Sequence, residues 1–522
     1  MIHFVPAWYN PERRWYSTDS AVSATAAQAD DTVTQLRVFQ QGSEDARIIV
    51  LNYAPSLRRF LHSQDIVDVP YWSFFDEVQG LEDDYTRPID FLALEWPEDV
   101  SFFYNPFIVT VMRESEVYAR VYLARDGTLR SIRYYGAGMP ALERIYDDRG
   151  FPSSVLMHDE EGRPATQYYL SRTGDVIVSE DVPTGRIDVV QNDDNRFRRS
   201  SYESWEALMS ELLGAHLAKR RAERDTVVLA LSEQHNELVA SALDGETLVV
   251  SRSLSATSPP PSELLGRAGA VFSGVGHAQA DDGGDASEEW AYLPTLSIYP
   301  LERRPTFGAS ANEPKIYVSL FVDDITTEEL DYAIAMLAGQ LVNDDRVRLL
   351  VCTFRSQDLD YLHEIRGVIA GYQHLDLTFF GDDEIAGLSV DLGTAEGPEE
   401  KIQLTFIDRE AELIKTLGRT RVLVDLGTSV NPRLAVEAVN AGVPQVNRVR
   451  HALVTHPING YVIADDSELA TAVAHFLVGL EHWNQSLVQC RVLEDLFSAE
   501  EVLARWSLIR EGVAYAGPAD RA

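Results

Sequence analysis

The stretch of sequence that decides the fold reads VDLGTSVNPRLAVEAVNAGVP and occupies residues 424–444. A short apolar strand ends at Asp425 and is followed by a small polar loop. We predict a helix from Pro432 onward, because proline is favoured in the first helical turn. We expect it to end before Gly442, because glycine is typical of the position just past a helix end. The stretch therefore predicts a strand, a loop and a helix in direct succession.

This strand–loop–helix resembles the unit that meets the donor sugar nucleotide in glycosyltransferases with two Rossmann domains, the GT-B class. In those enzymes two glutamates lie eight positions apart, and the second belongs to a Glu-Ala-x-x-x-Gly-x-Pro run. Glu437 and Ala438, followed by Gly442 and Pro444, match that run. The position of the first glutamate is Ser429. The resemblance therefore implies a sugar-transfer scaffold that has been altered where the enzyme would work.

The composition is that of a globular protein with several domains. The 522 residues are enough for about three domains, and a hydrophobic content of 45% allows large cores. The two cysteines, Cys352 and Cys490, argue against a disulfide framework and fit a reducing compartment. The first residues lack the pattern of a signal peptide, and no apolar run approaches the about 20 residues of a membrane helix. We therefore expect a soluble cytoplasmic protein.

The chain is strongly acidic, with 82 acidic and 45 basic side chains and a formal net charge of −37. Such a charge disfavours binding to nucleic acid or to anionic lipid. Two explanations stay open. The acidity reflects codon bias or a salty habitat, or it attracts a basic or hydroxyl-rich partner.

The first 310 residues combine two patterns. Two strand–helix units near the N-terminus have the spacing of a Rossmann-like domain. Between residues 88 and 190 apolar and polar residues alternate, and the turn glycines Gly150, Gly162 and Gly174 lie 12 residues apart. Short alternating runs joined by glycine turns are typical of β-hairpins. We therefore predict an antiparallel β-meander inserted into the first Rossmann-like domain.

Beyond residue 310, short apolar strands alternate with helices, as in a doubly wound parallel sheet. We predict strands at 316–321, 347–353, 375–380, 402–407 and 422–425. The predicted fold class is α/β and GT-B-like, with two Rossmann-like domains and the antiparallel β-meander inserted in the first. The predicted domains are the first Rossmann-like domain at 1–85 and 201–310, an extended β-sheet domain at 86–200, a second Rossmann-like domain at 311–480 and C-terminal helices at 481–522.

Several N-terminal phrases resemble one known family. They are FVPAWYN at 4–10, RWY at 14–16, DTVTQLR at 31–37, NYAPSLRRFLH at 52–62 and YWSFFDE at 71–77. Together they are similar to the first of the three Asp proteins, the accessory secretory proteins of the accessory Sec system. The likeness runs along the whole chain and is most specific in these phrases. It implies a GT-B-like body with an extended β-sheet insertion, which agrees with the pattern of the residues.

The same resemblance implies a function without catalysis. Members of that family are understood as glycosyltransferase-like proteins that have lost transferase activity. They work beside two other Asp proteins and an accessory SecA-type ATPase, and they help to export serine-rich-repeat glycoprotein adhesins. The resemblance therefore implies a cytoplasmic protein, at most peripheral to the membrane near the translocase. We predict no cofactor, and the acidic charge argues against a nucleic-acid partner.

The candidate site is a pseudo-donor pocket around the opening stretch. Its residues are predicted to be Gly427, Thr428, Ser429, Asn431, Glu437 and Arg355. Ser429 could donate a hydrogen bond but has no charge, and Glu437 is either a donor-sugar ligand or an ordinary helix residue. Arg355 follows a predicted strand and is either a phosphate ligand or a solvated side chain. We assign no catalytic residue.

Two further features of the sequence bear on this pocket. Asp323 and Asp324 follow the first strand of the second half, where two carboxylates would repel a diphosphate. His451 and His456 flank a nearby loop, but no third ligand stands at a useful spacing, so we predict no metal site.

Two functions stay open from the sequence. The favoured one is a non-enzymatic interaction protein, in which the edges of the meander bind an extended polypeptide by strand addition. The rival is an active nucleotide-sugar glycosyltransferase that modifies serine or threonine of the same adhesins. Ser429 and the Asp323–Asp324 pair favour the first. A structural subunit that only solubilises its neighbours is the third possibility.

Overall fold

The computed structural model describes residues 1–10, 13–16, 30–82, 85–105, 108–124, 127–219, 225–252, 264, 267–273, 295–297, 300–355, 358–372, 401–407 and 409–510. The chain divides into two compact units. The first unit contains Met1–Ala24, Phe39–Ser251 and Ser258–Gly269, and the second contains Thr25–Val38, Arg252–Thr257 and Ala270–Ala522. The domain boundaries given above stay a prediction.

A parallel sheet of seven described strands is formed by two separate segments, residues 2–73 and 226–297. Its strands are β1 (Ile2–Val5), β2 (Ala46–Val50), β3 (Tyr71–Ser73), β14 (Thr226–Ala230), β15 (Thr247–Arg252), β16 (Ala268–Ser273) and β17 (Thr295–Ser297). They are ordered β17-β16-β15-β14-β1-β2-β3. Every residue of β1 and β14 is buried, as expected for apolar strands covered on both faces. The α/β pattern predicted at both ends of this region is confirmed.

Five helices accompany these strands in the described residues. They are α1 (Asp31–Gln41), α2 (Leu57–Ser63), α3 (Phe74–Gln79), α4 (Trp205–Lys219) and α5 (Asn236–Ala242). Ser73 begins α3, because its side chain accepts a hydrogen bond from the backbone N–H of Asp76, and Gly80 ends it in the left-handed conformation. The strand β3 therefore passes directly into a helix without a connecting loop.

The predicted meander is a sheet of ten described antiparallel strands. They are β4 (Val100–Tyr104), β5 (Ile108–Arg113), β6 (Glu116–Leu123), β7 (Leu129–Gly136), β8 (Met139–Asp147), β9 (Phe151–His158), β10 (Pro164–Leu170), β11 (Val176–Asp181), β12 (Arg186–Val189) and β13 (Ser201–Tyr202). Each strand pairs with the next one along the chain, so β4 and β13 form the two edges. The turn glycines Gly150, Gly162 and Gly174 all have positive φ. Glycine is favoured at these turns because it adopts that conformation without strain. The hairpins predicted from their spacing are confirmed.

The second unit contains a six-stranded parallel sheet. Its described strands are β18 (Ile316–Phe321), β19 (Val347–Thr353), β20 (Ile402–Phe406), β21 (Thr420–Asp425), β22 (Gln445–Asn447) and β23 (Gly460–Val462), in the order β20-β19-β18-β21-β22-β23. This is the 3-2-1-4-5-6 order of a Rossmann sheet. Four of the five predicted strands are confirmed, and the one predicted at 375–380 lies outside the described residues.

The helices of the second unit cover this sheet. They are α6 (Thr327–Asn343), α7 (Leu359–Ala370), α8 (Glu410–Arg419), α9 (Pro432–Ala441), α10 (Leu469–Leu477), α11 (Glu481–Leu496) and α12 (Ala499–Arg510). Leu320, Val351 and Val424 of the sheet pack with Leu337 of α6 and Phe476 of α10 in one buried core. Burial of apolar area at about 25 cal/mol per Å² is the main force that holds these layers together.

A buried ionic cluster joins the meander to the helices of the first unit. Arg149, in the turn after β8, binds Asp147 and Asp76 with two pairs of N–H···O contacts between 2.7 and 3.2 Å. Arg58 of α2 binds Asp148 through Nε and lies 3.1 Å from Asp76 and 3.4 Å from Asp147. Only 1% of the Arg149 side chain and 3% of the Arg58 side chain are exposed. Strand β8, α2 and α3 are therefore held by paired charges in the protein interior.

The N-terminal aromatic residues belong to the interior of the first unit. Trp8 and Trp15 are buried, and Trp8 packs edge-to-face against Phe60. The Tyr9 hydroxyl is hydrogen-bonded to Nδ1 of the buried His235. These rings therefore contribute to packing.

Candidate functional site

The Rossmann order of the second unit defines a crevice at the carboxyl ends of β18 and β21. Strand order reverses between these two neighbours, and ligands of open α/β sheets bind at such a switch point. The backbone after β18 places Asp323 and Asp324 at this edge, and the backbone after β21 places Gly427, Thr428 and Ser429 there. The opening stretch of the sequence therefore lies where the fold predicts a ligand site.

Asp323 is bound at the end of the neighbouring strand β19. One carboxylate oxygen accepts a hydrogen bond from the Thr353 hydroxyl, and the other accepts one from the backbone N–H of Phe354 at 2.8 Å. Burial raises the pKa of Asp323, and these hydrogen bonds oppose that rise. The carboxylate therefore acts as a connector between β18 and β19.

Asp324 accepts hydrogen bonds from two polar side chains of the loop after β21. The hydroxyls of Thr428 and Ser429 donate to its Oδ2 at 3.4 and 3.3 Å. A Cβ at Gly427 would lie 3.0 Å from the same oxygen and 3.1 Å from the Ser429 carbonyl oxygen, so a larger residue would crowd this contact. The two loops of the crevice are thus joined by hydrogen bonds, one of them from the residue that stands where a glutamate occurs in the GT-B motif.

A third carboxylate, Asp425, ends β21 beside these two. Burial raises the pKa of Asp425 to about 6; the hydrogen bond from the backbone N–H of Gly427 lowers it, and the charge of Asp324 raises it further. Asp323, Asp324 and Asp425 therefore give the crevice a negative potential.

Glu437 lies on α9 and is paired with an arginine. Its carboxylate is 3.0 Å from Nη2 of Arg304, and the residue is only 6% exposed. Arg304 also contacts Glu302 at 3.2 Å and Glu410 at 3.7 Å. Asn431, which precedes α9, caps the helix by accepting a hydrogen bond from the Leu434 N–H at 3.2 Å. Both residues of the sequence motif therefore have partners within the protein.

Arg355 follows β19 and is held at the start of α7. Its guanidinium is ion-paired with Asp358 and lies 3.9 Å from the ring centre of Tyr361. The Tyr361 hydroxyl donates to the carbonyl of Val322 at 2.6 Å. The side chain is 45% exposed. The arginine is therefore close to the crevice but is stacked and paired.

Arg448, which the sequence reading missed, bridges three elements beside the crevice. It donates to Glu329 at 2.7 Å, to Asp466 at 2.6 Å and to the carbonyl of Leu426 at 2.6 Å. Arg448 directly follows β22, a strand too short to be predicted. If the end of β22 had been predicted, Arg448 would have been expected near the crevice, because the carboxyl ends of parallel strands lie at the same edge of a sheet.

The two histidines near the pocket differ in their surroundings. His451 is 1% exposed, and burial lowers its pKa to about 4, so its ring is neutral at pH 7. His456 accepts a hydrogen bond from the backbone N–H of Val462 through Nδ1. Over the described ranges, no three His, Cys, Asp or Glu side chains are grouped so as to hold a metal ion.

No helix in the described part of the chain is both long enough and apolar enough to cross a lipid bilayer.

Comparison with known proteins gives one family. The family model that describes the first Asp protein of the accessory Sec system matches residues 1–512. A protein with the same description from Staphylococcus aureus (strain NCTC 8325 / PS 47) is 26% identical over 522 residues. The match covers 98% of this chain and 99% of that protein. Its namesake from Streptococcus gordonii is also 26% identical, with 97% of this chain and 98% of the relative covered.

Solved structures give the fold. A chain of the Glycosylation Associate Protein (Gap123) complex from Streptococcus agalactiae has a TM-score of 0.77 at 26% identity, with 97% of this chain and 99% of that chain covered. A chain in the structure of accessory secretory protein 1, 2 and 3 in Streptococcus pneumoniae has a TM-score of 0.77 at 22% identity, with coverages of 98% and 99%. The pneumococcal O-GlcNAc transferase GtfA, solved with UDP and GlcNAc, has a TM-score of 0.68 at 13% identity, with 99% of each chain covered. The GT-B-like α/β fold class predicted from the sequence is thereby confirmed.

Proposed function

The chain belongs to the family of the first Asp protein of the accessory Sec system, and from this membership we propose that it is a non-catalytic, glycosyltransferase-like component of accessory Sec export. It forms a complex with two other accessory secretory proteins, as relatives solved in such assemblies support. Through that complex and an accessory SecA-type ATPase it aids the export of serine-rich-repeat glycoprotein adhesins. It acts in the cytoplasm, at most peripheral to the membrane.

The negative crevice supports the absence of catalysis. A GT-B enzyme must stabilise a diphosphate leaving group, which requires cations or helix N-termini where charge develops. The crevice contains Asp323, Asp324 and the buried Asp425, and the nearby Arg355 and Arg448 are already ion-paired with other carboxylates. Each like-charge pair at about 4 Å costs about 1 kcal/mol in water and several times more in a protein cleft. The single observation that carries the proposal is therefore this carboxylate cluster at the switch point.

The pairing of the remaining motif residues supports the same conclusion. The hydroxyl of Ser429 is hydrogen-bonded to Asp324, the carboxylate of Glu437 is bound by Arg304, and Arg355 is bound by Asp358. A donor sugar would have to displace each of these contacts. We therefore propose that the six pocket residues now stabilise the second unit.

UDP-GlcNAc is expected to leave the melting temperature of the pure chain unchanged and to release no UDP. A donor bound at about 100 times its Kd would add about 2.7 kcal/mol of stability, which differential scanning fluorimetry would detect as a rise in Tm. The matched variant Asp323→Asn/Asp324→Asn removes two of the repelling charges. Binding that appears only in this variant would agree with electrostatic exclusion of the diphosphate.

The rival function, an active nucleotide-sugar glycosyltransferase acting on serine or threonine, predicts a different outcome. UDP would be released from UDP-GlcNAc by the unmodified chain, and Glu437→Gln would abolish that release. Such a result would overturn the proposed function.

Strand β4 is the proposed place where an extended segment of a partner docks. It is an edge of the ten-stranded sheet, so one side of its backbone faces no described strand. Asn105 donates to the carbonyl of Ile108, and hydrogen-bonded pairs alternate along antiparallel strands. The N–H of Tyr104 therefore points away from β5. A free edge of this kind accepts another strand by backbone hydrogen bonding.

Replacing Tyr104 by proline is expected to weaken the complex with the partner proteins by about tenfold, because it removes an edge N–H without removing a ladder bond. Tyr104→Ala is the matched control, since it deletes the same 62% exposed ring and keeps the N–H. Affinity is measured by biolayer interferometry with the two co-expressed partner proteins. Equal affinities for the proline and alanine variants would exclude strand addition at β4.

A further inference from the structure

One row of directly paired residues crosses the whole ten-stranded sheet on a single face. It begins with Phe103 on the edge strand, continues through Thr110, Arg120, Arg133 and Glu143, and runs on to the last strand. Residues that face each other across antiparallel strands share a side of the sheet. The row therefore shows how the surroundings of one face change from edge to edge.

Exposure along this row falls sharply. Phe103 is 58% exposed and Arg120 is exposed, whereas Glu143 is 9% and Gln167 of β10 is 0% exposed. In the covered half, Gln167 is hydrogen-bonded to Tyr16 and Arg13 of the N-terminal segment. In the open half, strands β4 to β7 extend beyond that cover. The open half of the face is a surface of the first unit that is accessible to another molecule.

Two arginines stand directly opposite each other in the open half. Arg120 of β6 is the cross-strand partner of Arg133 of β7. Glu143 is bound to Arg133 at 2.7 and 2.9 Å and accepts a hydrogen bond from Ser131 at 2.6 Å. Within the described ranges, no carboxylate forms an ion pair with Arg120. Glu143 therefore compensates the charge of Arg133, and the exposed guanidinium of Arg120 is the one that remains available to an anion.

The surroundings of Arg120 are aromatic and contain a second arginine. Its guanidinium lies 5.4 Å from the ring centre of Tyr135, and that of Arg133 lies 5.4 Å from the ring centre of Tyr122. From β4 to β8 the row of paired residues contains the arginines Arg120 and Arg133 and the carboxylate of Glu143, in a chain whose net charge is −37. The face therefore forms a locally cationic, ring-lined area on an acidic protein.

We propose that this area, the Arg120 face (Phe103, Arg120, Tyr122, Arg133 and Tyr135), binds an acidic segment of a partner polypeptide. A planar guanidinium matches a carboxylate with two parallel hydrogen bonds, and the rings contact the apolar atoms of the bound chain. The backbone N–H groups of the inner strands are used in the ladder, so the face lacks the N–H cradle from which phosphate sites are built. The five strands β4 to β8 span about 19 Å, which about six extended residues cross.

The inference goes beyond the proposed function, because it concerns a surface of the first unit and does not depend on the state of the crevice in the second. A partner segment bound here has carboxylates at alternate positions. In an extended chain these carboxylates share the side that faces Arg120, and the residues between them face water. Long-range repulsion by the rest of the chain would reject a polyanion without such a local match.

The test is the binding of a fluorescein-labelled peptide of about eight residues in which Glu and Ser alternate, followed by anisotropy with the full-length chain. The same peptide with Gln in place of Glu is expected to bind at least about tenfold more weakly, and Arg120→Ala is expected to weaken the Glu peptide by about tenfold. Arg120→Lys should restore part of the affinity. Because Arg120 is exposed, Arg120→Ala should leave the melting temperature nearly unchanged.

Arg186→Ala is the matched control, since it removes an equally cationic, exposed side chain from β12 of the same sheet. Its affinity for the Glu peptide should stay within about twofold of the unmodified chain. Equal losses in the Arg120 and Arg186 variants, or no binding of the Glu peptide at all, would overturn the proposal. Inorganic phosphate or phosphatidylglycerol vesicles that displace the peptide at equal charge concentration would also overturn it, because they would assign the face to anions in general.

Discussion

Replacing Arg149 by methionine is expected to lower the free energy of unfolding of the first unit by about 3–5 kcal/mol, the usual cost of removing one partner from a buried ionic cluster. The arginine forms paired contacts with Asp147 and Asp76, and only 1% of its side chain is exposed. Without it, Arg58 alone faces Asp76, Asp147 and Asp148. Burial already raises the pKa of Asp76 and of Asp148, so uncompensated charge at this place is especially costly.

The measurement is a urea titration in which unfolding is monitored by hydrogen–deuterium exchange. Peptides from α2 and β8 report the unfolding of the first unit. Arg163→Met is the control, because its side chain is 71% exposed and its ion pairs lie in a surface turn. That change should leave the exchange of the same peptides nearly unaltered. Similar losses in the two variants would show that the buried cluster contributes nothing beyond a surface ion pair.

Asp425→Asn is expected to stabilise the second unit by about 1–3 kcal/mol at pH 8 and to have no effect near pH 4. Burial raises the pKa of Asp425 from its ordinary 3.8 to about 6. Between these values the folded state binds more protons than the unfolded state, so stability falls as pH rises and the full cost is present above pH 6. Asparagine keeps the oxygen that accepts from Gly427 and has no charge to desolvate.

The check is the melting temperature of both proteins at intervals from pH 4 to pH 8. The difference between them should grow with pH and become constant above about pH 6.5. Glu364→Gln makes the same change of charge on the exposed side of α7 and should show no such pH dependence. A constant difference across the range, or a loss of stability at pH 8, would contradict the assigned desolvation of Asp425.

Local signals in the sequence were sufficient for most of the fold. The helix predicted from Pro432 to Ala441 has those bounds, because proline, the Asn431 cap and Gly442 are all local. The hairpins were predictable for the same reason, since each turn contains its own glycine. The strands at Gln445–Asn447 and Gly460–Val462 were missed because three residues are too few to show a period.

The site could be located from the sequence, but its contacts could not. Strand ends and the 3-2-1-4-5-6 order bring Asp324 and Ser429 together although they are 105 positions apart. The partner of Glu437 is Arg304, which lies 133 positions earlier and has no motif of its own. The cross-strand pair of Arg120 and Arg133 requires the register of two hairpin strands. Long-range pairing of this kind is set by tertiary packing, which a local pattern does not contain.

The pairing of Ile2 with Thr226 constrains the order in which parts of the chain fold during synthesis. The last parallel neighbour of the N-terminal strand β1 leaves the ribosome only after the entire ten-stranded sheet has emerged. Each strand of that sheet pairs with the one translated just before it, so the sheet can form while elongation continues. A folded insertion also brings the two distant halves of its host domain close together and shortens the loop that must be closed. Nascent chains are therefore expected to acquire protease resistance in the insertion first and in the surrounding Rossmann-like domain second.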